Sequence, residues 1–337
     1  MHSTVKTILH GLKRLVVVLA IALLCSSCRD LLPPVSNNPW QLIALPTTAN
    51  LLDIAFSTPE HGWIVGNRAT VFESTNGGKT WQQRNFDLED DVNYRLSSVS
   101  FSGSEGWIVG QPSILLHTMD DGKSWEKVAL SSKLPGSPDK IVALGAQQAE
   151  MVTDVGAIYR TVDAGRNWKA LVQDAVGVMR NISRSPDGRY VAVSAKGNFY
   201  STWEPGQQVW VGHNRNSSRR VQNMGFAEDG RLWMLARGGR IQFTSDPKEM
   251  ESWTETIAPE SVNSWGLLDL AYRTPNEIWA SGGSGTLLVS NDGGQTWQRD
   301  REVENVPSNL DRIVFFSPER GFVLGQRGTL LRYVKPA

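Results

Sequence analysis

Cysteine is nearly missing from this chain. Of 337 residues only two are Cys, at 25 and 28, and both fall in the first 28 residues. The remainder can hold neither a disulfide nor a cysteine metal site. Histidine is scarce as well: after residue 28 only His61, His117 and His213 occur, too far apart for ligand spacing, so no metal is expected. Formal net charge is zero, which gives no bulk attraction for nucleic acid, and none is expected as a partner. Helix signals are nearly absent after residue 30, whereas Gly (31) and Trp (13) are frequent, an all-β composition.

Long apolar runs are also lacking. The one candidate, Leu15 to Leu24, is ten residues long, which is short for a bilayer span. It follows Lys6, Lys13 and Arg14 and ends in Leu24-Cys-Ser-Ser-Cys28, the layout of an export signal. Residues 1–28 are therefore expected to be a signal peptide. Its end is similar to a bacterial lipoprotein processing box, with Cys28 as the lipidated residue, although Cys25 occupies the usual Leu position. Residues 29–38, with LLPPVSNN, read as an extended tether, and 39–337 as one domain outside the cytoplasm.

What is present is a repeat. Ser290 to Trp297 reads SNDGGQTW, Ser74 to Trp81 STNGGKTW, Thr118 to Trp125 TMDDGKSW and Thr161 to Trp168 TVDAGRNW. Ser201 to Trp210 and Ser245 to Trp253 are weaker copies. Asp and Gly suit a tight turn, and the apolar residues before it and the Thr-Trp after it read as strands. Including Trp40, the tryptophans stand at 40, 81, 125, 168, 210, 253 and 297, between 41 and 44 residues apart. Such a period with several short strands marks propeller blades. Seven tryptophans predict a seven-bladed β-propeller of four-stranded blades. The seventh blade has three strands after residue 310, so the strand around Trp40 is expected to complete it and remove two exposed sheet edges. Each repeat Trp is expected to pack the outer strand onto the next layer of its own blade, with Trp63, Trp107, Trp233, Trp279 and Phe322 as a matching set on the second strands.

The turn resembles the Asp-box of sialidases, sortilin-type receptors and other propellers, a mark of fold rather than activity. The arginine motif that sialidases carry near the first strand is absent. None of Tyr94, Tyr159, Tyr190, Tyr200, Tyr272 and Tyr333 sits beside a Glu in sequence. Asp53 and Asp269 lie on inner strands of distant blades, a place where Asp also lines channels structurally. No catalytic residue and no cofactor is expected.

Charge is unevenly distributed. Residues 156–240 hold 13 Lys and Arg against 6 Asp and Glu, and the rest of the chain after Cys28 holds 18 against 28. Arg180, Lys196, Arg215, Arg219, Arg220, Arg237 and Arg240 fall in or beside loops that open on one end of a propeller, while the Asp-box turns occupy the other end. A basic docking face over blades three to five is expected, for a partner bearing carboxylates.

From Trp40 to Val334 the chain resembles the photosystem II assembly and stability factor family of cyanobacteria and chloroplasts. The resemblance is carried by the seven-Trp period, the GWIVG strands at Gly62–Gly66 and Gly106–Gly110, STNGGKTW, SNDGGQTW, the closing GTLLR from Gly328 to Arg332 and the lipobox-like leader. It implies a monomeric, non-enzymatic assembly factor on the lumenal side of the thylakoid membrane. Such a factor binds the precursor of a reaction-centre core subunit and early assembly intermediates through an arginine patch, for which Arg180, Arg215, Arg219 and Arg220 are the leading candidates. The competing expectation is a secreted glycan-binding or glycosidase propeller.

Overall fold

The computed structural model describes residues 38–89, 91–215, 217–259, 266–300, 303 and 306–334. The expected signal peptide, Cys28 and all of the tether but Asn38 lie outside the described residues. Among the described residues no helix is long and apolar enough to cross a membrane.

Pro39–Ala337 forms one compact unit, a seven-bladed β-propeller of antiparallel sheets in chain order. The inner strands are Leu51–Phe56, Arg95–Ser102, Pro138–Gly145, Met179–Arg184, Val221–Phe226, Leu267–Tyr272 and Leu310–Ser317, for blades one to seven. The second strands, such as Gly62–Gly66, Glu105–Gln111 and Tyr190–Ser194, are buried almost end to end, as strands covered on both faces must be. The strand Trp40–Ile43 pairs antiparallel with Leu330–Tyr333, Trp40 opposite Tyr333, and completes blade seven. The ring then closes on blade one: the Gly328 N–H donates to the Ala49 carbonyl at 2.7 Å, and Arg320 Nη1 to the Pro59 carbonyl at 2.6 Å.

Outer strands are short, as little as Gln82–Gln83 and Glu126–Lys127. In blade five the described sheet has three strands, and its outer edge consists of two isolated bridges, Thr244 to Trp253 and Ile241 to Ile257. That blade has one of the two weak copies of the box: Ser245 Oγ bonds Ser252 Oγ at 2.7 Å where the strong copies use an Asp or Asn.

In the strong copies the turn is built on one pattern. Thr118 Oγ1 donates to Asp120 Oδ1 at 2.8 Å and accepts from the Gly122 N–H at 3.0 Å, while Asp120 Oδ1 accepts from the Ser124 N–H at 2.9 Å. Ser290, Asp292, Gly294 and Thr296 repeat it. Hydrogen bonds from Ser124 and Thr118 hold the Asp120 carboxyl down at about 2, and Thr296 and Ser290 do the same for Asp292.

The repeat tryptophans keep contacts within their own blade, such as Trp125 with Phe101 and Trp40 with Tyr333, but reach beyond the expectation by packing on the preceding blade as well. Trp125 of blade two stands edge-on to Trp63 of blade one at 5.6 Å, and Trp168 of blade three to Trp107 of blade two at 6.1 Å. Trp81 of blade one meets Phe322 of blade seven, and Trp40 meets Trp279 of blade six at 5.3 Å. Each core cluster therefore straddles a seam between blades, with Trp297 packed against the cluster that holds Trp233 and Phe243 of blade five. The second-strand aromatics Trp63, Trp107, Trp233, Trp279 and Phe322 are buried partners in these seams. The reason is the box itself, which turns beside the neighbouring blade and presents its Trp there.

Candidate functional site

The antiparallel order of each blade places the turn between second and third strands, and the connection to the next blade, at one end of the ring. The Asp-boxes lie at the other end. Arg180 is in the inner strand of blade four, Lys196 in the turn after Tyr190–Ser194, and Arg215, Arg219 and Arg220 in the connection to blade five. Arg237 lies in the turn after Leu232–Ala236, and Arg240 opens the strand that follows. All seven belong to blades four and five, so the basic face is narrower than the expected three blades. Blade three's Arg166 lies in its Asp-box turn, at the far end.

Backbone bonds draw these segments together. The Val221 N–H donates to the Gly197 carbonyl at 2.8 Å, and the Arg237 N–H to the Arg220 carbonyl at 2.8 Å. Arg180 Nη2 reaches the Ala195 carbonyl at 3.0 Å, and its Nη1 donates to Gln222 Oε1. Arg215 Nη1 donates to the Arg219 carbonyl at 2.5 Å. Arg215 and Arg240 are half-buried and the other five exposed. Burial lowers the Arg215 pKa, but guanidinium remains charged at any physiological pH. None of the seven has an ion pair among the described residues. By contrast Arg184 is paired with Glu150, Arg189 with Asp187 and Arg231 with Asp229. The face thus carries positive charge that no described carboxylate meets at ion-pair distance.

Arg180 lies beside the loop, on the inner strand itself. Every inner strand has a one-residue register shift near its start: between Leu51 and Asp53, Leu96 and Ser98, Pro138 and Lys140, Met179 and Asn181, and equivalently in blades five to seven. Arg180 is the extra residue of blade four. A bulge re-aims its residue, and Arg180 lines the mouth of the central channel, a cavity of about 1060 Å³.

Several of the carboxylates and tyrosines singled out from the sequence are held in buried ion pairs and hydrogen bonds. Asp53 is buried, with Arg312 Nη1 at 2.9 Å and Lys140 Nζ at 3.6 Å. Burial raises its pKa, but Arg312 and Lys140 more than offset this and hold the carboxyl below its ordinary range. In Asp269 burial wins and pushes the value up to about 6. Two of these tyrosines, neither beside a Glu in sequence, do meet one in space: Tyr94, whose hydroxyl donates to Glu89 Oε2, and Tyr190. The Tyr190 hydroxyl donates to Glu150 Oε2 at 3.0 Å, and Arg184 Nε donates to the same oxygen at 2.8 Å. The pair is buried at the seam of blades three and four, and burial raises the Tyr190 pKa well above its ordinary value, the reverse of what a nucleophilic phenol needs. The three histidines also sit at packed seams: His61 between Glu73 and Asp121, His117 on Glu105, His213 on Glu251. Among the described residues no group of three His, Cys, Asp or Glu is placed to hold a metal.

The family model of the Photosynthesis system II assembly factor YCF48 matches residues 32–334. The chain belongs to that family. It is 60% identical over 327 residues to the photosystem II assembly lipoprotein Ycf48 of Trichormus variabilis, covering 97% of this chain and 95% of the relative. It is 62% identical over 303 residues to the photosystem II assembly protein Ycf48 of Thermosynechococcus vestitus, covering 90% and 87%. Among solved structures, one described as YCF48 bound to D1 peptide superposes with a TM-score of 0.87 at 60% identity, covering 90% of this chain and 97% of that one. YCF48 from Cyanidioschyzon merolae superposes with a TM-score of 0.83 at 42% identity, covering 88% and 99%.

The sequence reading missed further cations of this Ycf48-family propeller at the same end. Arg68 and Arg327 occupy the equivalent turns of blades one and seven, and Arg95 opens the inner strand of blade two. Arg95 lies 3.6 Å from Asp139. Acidic residues interleave there, which is why a count of net charge along the chain does not register them.

Proposed function

We propose that this chain is a non-enzymatic photosystem II assembly factor that binds the precursor of the D1 reaction-centre subunit and early assembly intermediates. Binding uses the basic face of blades four and five: Arg180, Lys196, Arg215, Arg219, Arg220, Arg237 and Arg240. The protein works as a monomer at the lumenal side of the thylakoid membrane, held by a lipid on Cys28. The observation that carries this reading is a set of seven cations on blades four and five with no ion-pair partner among the described residues. A surface of this kind pairs bidentately with carboxylates and steers an acidic segment to itself. The D1 peptide in the structure of the 60% identical relative supplies the partner. The lipoprotein names of the relatives support the anchor.

The test is binding of a D1 lumenal peptide by calorimetry at low salt. Replacing Arg215, Arg219 and Arg220 together by Ala is expected to weaken binding at least tenfold, about 1.4 kcal/mol, with an unchanged circular dichroism spectrum. Equal affinity of the triple variant at low salt would remove the face from the account.

A further inference from the structure

At the register just after the bulge, every inner strand carries a polar residue: Asp53, Ser98, Lys140, Asn181, Asn223, Asp269 and Arg312, in blade order. These side chains tie neighbouring blades together. Asp53 takes Arg312 of blade seven on Oδ1 at 2.9 Å, and on Oδ2 it accepts from Ser98 Oγ at 2.8 Å and the Val99 N–H at 3.2 Å, both of blade two. Asp269 repeats this on the far side. Its Oδ1 accepts from Asn223 Nδ2 of blade five at 3.0 Å, and its Oδ2 from the Ile313 N–H of blade seven at 3.0 Å. Ser98 Oγ accepts from the Ile141 N–H at 3.4 Å. Each carboxylate thus joins the blade before it to the blade after it.

The ring is open at blades three and four. Lys140 has one ion-pair partner among the described residues, Asp53 at 3.6 Å, which already accepts from Arg312, Ser98 and two backbone N–H groups. An ammonium has three donors. In blade four the Asn181 Oδ1 is buried and has no hydrogen-bond partner among the described residues; an amide can present its N–H₂ instead by a flip. Lys140 and Asn181 stand at one register on adjacent blades, and both line the central cavity of about 1060 Å³. Two cations, Lys140 and Arg312, share the carboxylate of Asp53 at ion-pair distance, with Asp139 and Asp269 acting from further off.

We propose that the central channel binds a small carboxylate between Lys140 and Asn181. One oxygen takes the Lys140 ammonium and the other the Asn181 amide, as the carboxylates of Asp53 and Asp269 span their own neighbours. A two-oxygen acceptor is required because the unmatched groups lie on two blades. The site shares its cavity with Arg180 but takes its two contacts from Lys140 and Asn181, and it does not rest on the reading of the arginine face.

The probe is acetate, titrated into the purified full-length protein by calorimetry and by thermal melts, against chloride and neutral acetamide at matched ionic strength. Acetate is expected to bind and to raise the melting temperature, with chloride and acetamide giving at most a small shift. Lys140→Gln is expected to weaken acetate binding at least tenfold, and Asn181→Ala several-fold. Should Lys140→Gln fail to fold, Asn181→Ala decides. An acetate response equal to that of chloride, or one retained in full by the folded variants, overturns the proposal.

Discussion

A methyl group on Gly122 would stand 2.2 Å from the Trp63 ring, and the residue has φ of +78°, so both space and backbone demand glycine there. Single side chains of this kind decide how blades meet. His61 is another: its Nδ1 lies 2.6 Å from Asp121 of blade two and its Nε2 2.7 Å from Glu73, which also pairs with Arg84 at 3.3 Å. Burial lowers the imidazole pKa, but the bonds to Asp121 and Glu73 outweigh it, and the folded value is raised above 6.5. A group with a raised folded value contributes stability that is fully present below its unfolded pKa of about 6.5 and lost as pH rises through the folded value. His61→Gln is therefore expected to cost on the order of 1 kcal/mol more at pH 5.5 than at pH 8.5. Urea melts at both pH values measure this, and a pH-independent difference would contradict it. Local chemistry was legible at this scale, since Asp, Gly and Ser/Thr of the box do what their spacing implies. Tyr190 with Glu150, 40 residues apart, was not: only folding brings them to one seam.

The closing strand is the element on which the ring depends. Trp40 stands 5.3 Å from Trp279, 5.4 Å from Tyr333 and 5.8 Å from Phe315, and is buried. Trp40→Ala opens a large void at the seam of blades six and seven, and a loss of about 3–5 kcal/mol is expected. A thermal melt unchanged from that of the parent protein would show that this strand does not close the ring. The expectation that the Trp40 strand completes blade seven agrees with its antiparallel pairing to Leu330–Tyr333. The direction in which the repeat tryptophans point was not legible, because a period of 41–44 residues is the same whichever neighbour each ring faces. The bulge that turns Arg180 into the channel leaves no mark in a six-residue strand, MRNISR, whose side chains are mostly polar.

For the whole molecule, chain-wise charge bias became a spatial one because consecutive blades are spatial neighbours. That is why a count along residues 156–240 located the cations now grouped on blades four and five, and why Arg68, Arg95 and Arg327, drawn from distant stretches, escaped it. A rigid propeller presents such a face without ordering cost, so charge complementarity shows in affinity and in salt dependence alike. The measurement that bears most directly on the central claim is a pull-down from native thylakoid membranes with the full-length protein as bait, at low and high salt. The expected result is recovery of D1 precursor at low salt, reduced at high salt and lost when Arg215, Arg219 and Arg220 are all changed to Glu. Recovery of no photosystem II protein by intact bait, or recovery undiminished by the charge reversal, would contradict the account.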